Sequence, residues 1–331
     1  MEIFVTIPQG DVRDSFIPLE VKKRLTGMGN VRWHDGRENL TEEELAGQIK
    51  DAQVCLTGWG TARFTREVLK SAPCLQVIAH TGGTVAPVVD DAAYDRGIRV
   101  LSGNEIYAQS VAEGVIGYML AALRRIPKYA HRMQNVGWSE PDWYTEGLLG
   151  QRVGLVGFGA VARYTATMLR AFDVELLIAS EHMSEEEACS YGAQKSTLEE
   201  IFSSCKVVSL HMAATPKTYR QIGERLLRLL SDGALLINTA RGSVVDEEAL
   251  ARALKEGRFQ AVLDVFETEP LPMDSPLRGL SNAMLIPHMG GPTMDRRPVV
   301  TRSLLGAIAR VLAGEPSRLE IGRQAASWMT R

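Results

Sequence analysis

Residues 153–172 read VGLVGFGAVARYTATMLRAF. A strand-like run, RVGLVG (152–157), leads into Gly157-x-Gly159-x-x-Ala162, and an apolar-spaced helix opens inside the same stretch. The context matters, because an isolated glycine pattern is a weak signal and a strand–loop–helix setting strengthens it. Gly157 permits a tight turn, Gly159 lets backbone approach a pyrophosphate, and a small residue at Ala162 allows close helix–strand packing. The unpaired N–H groups of a helix start favour phosphate. Gly157, Phe158, Gly159, Ala160 and Val161 are therefore candidate cofactor-binding residues in a Rossmann-type domain. An ordinary βα turn with small residues is the bland alternative.

The next strand, VELLIAS (174–180), brings Ser180 to the position where an NAD-binding chain commonly has an acid for the ribose hydroxyls, with Glu181 following. Serine tolerates a 2′-phosphate, but no Arg or Lys lies beside it in the sequence and Glu181 opposes such a phosphate. The reading favours NAD and leaves NADP open.

Further strand-like runs surround this unit: 3–7, 31–35, 54–58, 75–80 and 98–103 before it, and 207–212, 234–239, 261–266 and 283–287 after it. Helical patterns lie between strands, at 41–52 (with a capping box of Thr41 and Glu44), 65–72 and 89–97. The alternation implies parallel sheets covered by helices. A long apolar helix is expected over 110–134, buried between domains or subunits, then a tryptophan-containing linker over 137–150, and a last helix over 296–314 with a short tail.

The 331 residues are 45% hydrophobic and 23% charged, enough for two globular domains. A formal net charge of −3 gives no electrostatic case for nucleic acid or an anionic membrane. Four separated cysteines argue against a zinc site or a disulfide framework and suit a reducing, cytoplasmic setting. The start MEIFVTIPQGD reads as a strand and not a signal peptide, and no segment is expected to reach the length of a membrane span. No regulatory extension is expected within the last thirty residues.

Three segments end later strands, where open α/β sheets bind ligands. LINTARGSVVDEEAL carries Arg241, AVLDVFETEP carries Asp264 and Glu269, and IPHMGGPT carries His288 between Pro287 and Gly290–Gly291. A histidine can exchange a proton with a hydroxyl, a carboxylate on its other nitrogen fixes the tautomer, and an arginine fork holds a carboxylate. His288 is the candidate acid/base, Glu269 its orienter and Arg241 the substrate clamp. Each alone could be a salt bridge, a solvated acid or a cap. Together, behind a dinucleotide loop, they point to hydride chemistry on a 2-hydroxy acid.

These segments, with VGLVGFGAVA and VVSLHMAATPKT, resemble the NAD(P)-dependent D-isomer-specific 2-hydroxyacid dehydrogenases over about Leu75 to Pro298. The resemblance implies an α/β fold of two doubly wound parallel-sheet domains: a smaller flavodoxin-like substrate domain (1–101 plus 290–331) and the Rossmann cofactor domain (102–289). A cleft between them would close over the substrate. It implies catalytic roles for Arg241, Glu269 and His288. Asp264, Thr239 and Ala240 are then expected at the nicotinamide carboxamide, with the Gly290 backbone close to that ring. His211, Thr215 and Pro216 are expected along the adenosine side. Gly82, Gly83 and Thr84 in HTGGTVAP, with Asn104, are expected around the substrate carboxylate, although Val85–Ala86–Pro87 replaces the commoner Val-Asp after the glycines. The implied partners are a small 2-keto or 2-hydroxy acid and a second copy in a homodimer, with no nucleic acid and no membrane. The alternative from another class is a nucleotide-sensing interaction protein resembling the C-terminal-binding-protein corepressors.

Overall fold

The computed structural model describes residues 1–138 and 144–329. The chain divides into two compact units, Met1–Ala108 with Pro292–Arg331, and Gln109–Gly291.

The first unit opens β1 (Glu2–Val5), α1 (Asp11–Phe16), α2 (Leu19–Met28), β2 (Asn30–Trp33), α3 (Glu42–Gln48), β3 (Val54–Thr57), α4 (Arg66–Lys70), β4 (Val77–His80), α5 (Asp91–Asp95) and β5 (Arg99–Ser102). All five strands are parallel, in the order β2-β1-β3-β4-β5, the flavodoxin-like arrangement. Alternate residues feed opposite cores. Ile3 and Val5 join one with Phe16, Val21 and Leu304, and Phe4 joins the other with Leu45, Phe64 and Val68. The capping box is present: Glu44 N donates to Thr41 Oγ1 at 3.2 Å, and Thr41 N to Glu44 Oε2 at 2.8 Å.

The second unit contains most of α6 (Asn104–Leu123), α7 (Ile126–Asn135), β6 (Arg152–Val156), α8 (Ala160–Leu169), β7 (Glu175–Ala179), α9 (Glu185–Ser190), β8 (Ala193–Lys195), α10 (Leu198–Ser204), β9 (Val207–Leu210), α11 (Glu224–Leu227), β10 (Leu235–Asn238), α12 (Glu247–Lys255), β11 (Gln260–Leu263) and β12 (Ala283–Leu285). Its seven parallel strands run β12-β11-β10-β9-β6-β7-β8. Strand order reverses between β6 and β9, so the loops after these two strands flank the crevice where such sheets bind ligands. The chain then returns to the first unit through α13 (Arg297–Leu312) and α14 (Arg323–Ser327).

Several expectations change. The long helix starts at Asn104, ends at Leu123, and resumes as α7. Arg125 between them adopts a left-handed φ of 52°, and Pro127 supplies the early proline that suits a new helix start. α6 has the length and a mean hydropathy of 1.3 that a membrane span requires, which corrects the expectation that no segment does. Its apolarity has a local cause: Val115, Met119 and Leu123 enter one core of the seven-stranded sheet. The run holding Met284 forms a half-buried edge strand, β12. Strand β8 is polar and three residues long, which leaves no alternation to read. The tail is not idle either. Ser102 N donates to Leu319 O at 2.9 Å and Ile321 N to Val100 O at 2.8 Å, covering the β5 edge. Of the expected 137–150 linker, residues 139–143 lie outside those described.

His80 ends β4 and is 4% exposed, and burial pushes its imidazole down to about 4. An unfolded histidine titrates near 6.5. Its contribution to stability is therefore fully present above about pH 6.5 and is lost as pH falls towards 4, by about 3 kcal/mol. Urea unfolding of the protein and His80→Gln between pH 7 and pH 4 checks this. The substitution should flatten the pH dependence, and identical slopes would refute the assignment.

Candidate active site

The dinucleotide loop lies at the reversal point of the larger sheet. Gly157 has φ +90°, and a Cβ there would meet the backbone of His211 and Met212 at 2.9 Å, so only glycine fits. Gly157 N donates to Ala179 O at 2.8 Å and His211 N to Val156 O at 2.7 Å, fixing the loop between neighbouring strands. Gly159 caps α8 with nothing within 4 Å of its Cβ position, and no side chain caps the helix. The first-turn N–H groups at Ala160 and Val161 are thus left for an anion. Ala162 is fully buried, as close packing requires. Phe158 turns inward: it is 8% exposed and meets Tyr191 edge to face at 5.0 Å, so only its backbone faces the loop.

Ser180 follows β7 as expected. The sequence argument found no cation beside it, and the fold supplies one. Lys217, from the loop after β9, pairs with Glu181 at 2.6 Å. The anion that was to oppose a 2′-phosphate is accompanied by a positive charge. Thr215 in that loop is locked by reciprocal bonds with Thr218, N to Oγ1 at 2.8 and 3.2 Å. The His211 ring faces Ser209 Oγ at 3.0 Å, and desolvation pushes it down to about 4, so it is neutral near pH 7.

Three loop ends hold the candidate trio. Buried Asn238, the last residue of β10, staples its own turn by accepting from Ala240 N at 3.0 Å and donating to Arg241 O at 2.9 Å. Thr239 Oγ1 in this turn is buried and has no hydrogen-bond partner among the described residues, as a group awaiting a ligand would be. A Cβ on Gly242 would fall 1.8 Å from the Phe266 carbonyl carbon, which shows how tightly the turn presses on the Phe266–Glu267 backbone. That contact brings Arg241 beside Glu269. Arg241 donates to Ala240 O at 2.6 Å and makes no ion pair among the described residues. Burial lowers its pKa, and the Glu269 charge opposes the shift.

Glu269 accepts from Phe266 N at 2.9 Å through Oε1 and holds His288 Nδ1 at 2.6 Å through Oε2. His288 has φ 50°, a left-handed conformation of higher energy than the usual ones. Asp264 holds it there. This carboxylate follows β11, is 1% exposed, and accepts from Met289 N at 2.7 Å and Gly290 N at 2.8 Å. Burial raises the Asp264 pKa, while the two N–H groups lower it. Tyr118 of α6 adds a longer contact to Oδ1 at 3.4 Å. A Cβ on Gly290 would lie 2.6 Å from Asp264 Oδ2, which explains the glycine after the histidine. Asn238, Tyr118 and Lys217 are the site-shaping residues that sequence reasoning missed.

In the first unit, the Gly82–Gly83–Thr84 loop follows β4. Ser102 Oγ donates to Gly82 O at 3.1 Å and Gly83 O at 2.9 Å, and accepts from Asn104 N at 3.1 Å. His80, bonded to Thr57 Oγ1 through Nδ1 at 2.8 Å, places Nε2 2.3 Å from the Gly82 Cβ position. The buried ring thereby requires glycine at 82.

The residues present fit a bound dinucleotide: a glycine turn whose Gly157 admits no side chain, an uncapped helix start and, in the turn after β10, a threonine hydroxyl without a partner among the described residues. The Asp264 clamp is open to test. Asp264→Asn would turn an amide NH2 toward a backbone donor and should cost about 1–3 kcal/mol in urea unfolding. An unchanged unfolding midpoint would remove the clamp.

Residues 116–290 match the family described as D-isomer specific 2-hydroxyacid dehydrogenase, NAD binding domain. D-3-phosphoglycerate dehydrogenase of Methanocaldococcus jannaschii is 35% identical over 297 residues, covering 88% of this chain and 55% of that protein. Glyoxylate reductase of Thermofilum pendens is 36% identical over 283 residues, 83% of each chain. The chain thus spans little more than half of the first relative and most of the second. The crystal structure of the TT0316 protein from Thermus thermophilus superposes with a TM-score of 0.78 at 29% identity, covering 97% of this chain and 100% of that one. Sequence, sheet order and loop geometry agree: the chain belongs to the D-isomer specific 2-hydroxyacid dehydrogenase family.

Proposed function

We propose that the protein interconverts a small 2-keto acid and its D-2-hydroxy acid with a nicotinamide cofactor. The observation that carries this reading is the 2.6 Å bond from His288 Nδ1 to Glu269 Oε2, next to the Arg241 guanidinium, which makes no ion pair among the described residues. With Nδ1 held as a donor, Nε2 of His288 takes the hydroxyl proton in oxidation and returns it in reduction. Glu269 fixes that tautomer and stabilises the imidazolium. Arg241 binds the substrate carboxylate and polarises the reacting oxygen. A bound nicotinamide supplies or accepts the hydride. The loop of Gly157–Val161 holds its pyrophosphate, and Thr239, Ala240 and the Gly290 backbone meet the carboxamide end. Gly83, Thr84 and Asn104 are the first unit's candidates for contact with the substrate carboxylate. Glyoxylate, hydroxypyruvate and a phosphorylated serine precursor are the substrates to try, in keeping with the names of the relatives.

Consumption of NADH and NADPH, in parallel, across a panel of 2-keto acids tests the reading. Turnover with at least one acid is expected. His288→Ala and Glu269→Gln should each lower kcat/KM by about 10²–10⁴-fold. Tight cofactor binding without turnover of any acid would overturn the proposal and favour a nucleotide-sensing binding protein.

We further infer a homodimer. Ile126, Met133 and Val136 of the α7 region, with Trp138, Tyr144 and Leu149, are large exposed apolar side chains close together in sequence. Such concentrations mark interaction surfaces. Light scattering should give twice the chain mass, and Met133→Glu with Val136→Glu should shift it towards the monomer. A monomeric unaltered protein at micromolar concentration would refute the inference.

A further inference from the structure

Arg297 is not used by the machinery above, and its surroundings in the first unit are unusual for a solvated arginine. Its guanidinium carbon lies 5.1 Å from the centroid of the Trp59 ring and 5.5 Å from that of Phe16. Those two rings meet edge to face at 5.2 Å. Nη1 donates to Ser15 Oγ at 3.1 Å, and Nε is shut from solvent with no hydrogen-bond partner among the described residues. Among the described residues no carboxylate pairs with Arg297, whereas Arg302 and Arg310 of the same helix pair with Glu20 and Glu315. Aromatic rings attract the cation but cannot accept from an in-plane N–H donor as an oxygen does. The edge of the guanidinium fork therefore lacks the planar oxyanion it is built to hold.

The cluster adjoins the glycine loop. The Tyr107 ring lies 3.6 Å from the Gly83 Cβ position. Its hydroxyl is enclosed, with the Trp59 indole and the Arg297 charge acting on it. One turn along α13 from Arg297, Val300 lies 2.7 Å from the Gly103 Cβ position, which also faces the Thr81 and Gly82 carbonyls. Residues three apart share a helix face, so Arg297 lies on the side of α13 that packs towards this loop. Trp59 is 41% exposed, so the cluster opens to solvent.

We propose that Arg297, walled by Trp59 and Tyr107, is a subsite for the far end of the substrate and takes a second anionic group, a carboxylate or a phosphate. The substrate is then a 2-keto acid with one carboxylate at the Gly83–Thr84 loop and another oxyanion on its tail. An apolar tail would leave the guanidinium without a carboxylate or phosphate partner among the described residues. This inference rests on the dehydrogenase reading, and the experiment separates the two.

The readout is selectivity: kcat/KM for an anionic-tailed keto acid divided by that for hydroxypyruvate. 3-Phosphohydroxypyruvate probes the phosphate and oxaloacetate the carboxylate. In the unaltered protein one of these ratios should exceed about ten, and Arg297→Gln should lower it at least about tenfold, with Arg297→Lys intermediate. The ratio that falls identifies the group. Hydroxypyruvate turnover with ratios unchanged in Arg297→Gln would sink the subsite and leave the dehydrogenase standing. Thermal shifts of the cofactor-saturated protein with D-3-phosphoglycerate, D-malate and D-lactate ask the same question without turnover. A larger shift with one of the two anionic-tailed acids, lost in Arg297→Gln, supports the subsite. Equal shifts in both proteins overturn it, whatever the fate of the dehydrogenase reading.

Discussion

A carboxylate kept out of water is the constraint on which the candidate site depends. Asp264 stands just past β11 with 1% of its surface exposed. Desolvation of a charge at such a position is costly unless hydrogen bonds replace the lost water. The replacements are the backbone N–H groups of Met289 and Gly290. Because both donors belong to consecutive residues, satisfying Asp264 fixes the path of the chain directly after His288. The left-handed backbone at His288 and the glycine at 290 are consequences of that clamp. So is the approach of the imidazole to Glu269, since the loop has little other freedom.

The second half of the site is set by a close approach of backbones. Gly242 admits the Phe266–Glu267 chain where any side chain would collide. Arg241 and Glu269 are thereby neighbours, although they leave different strands. The turn that carries Arg241 is held by Asn238 and not by the arginine, which donates to the adjacent carbonyl. A cation positioned by others, with no ion pair among the described residues, is the form expected of a ligand-binding arginine. The same logic applies to Arg297 in the other unit, where aromatic rings do the positioning.

Much of the fold was legible. β6, Gly157, Gly159 and α8 form a local pattern whose meaning does not depend on distant residues, and both sheets follow from strands that alternate with helices. The candidate trio could be picked out too, because each member sits at a strand end in a segment with its own turn chemistry. What escaped has a common physical character. The break at Arg125 is a backbone conformation that no residue type announces. Strand β8 is too short and polar to show a period. The cover on the β5 edge joins residues 99–102 to 319–321, a pairing that local pattern cannot contain.

The sequence by itself determined the parallel α/β architecture and the dinucleotide loop, and it nominated Arg241, Glu269 and His288 as candidates, since glycine spacing, strand periodicity and residue chemistry are local properties. Only the tertiary structure decided that Lys217 accompanies Glu181, that Asp264 clamps the histidine loop, and that Arg297 lies against Trp59 and Phe16 beside the Gly83 loop. Each of those depends on which charges and backbones are brought within a few ångströms across tens or hundreds of residues. That is settled by packing and by the demand that every buried polar group find a partner, and neither leaves a trace in the order of the residues.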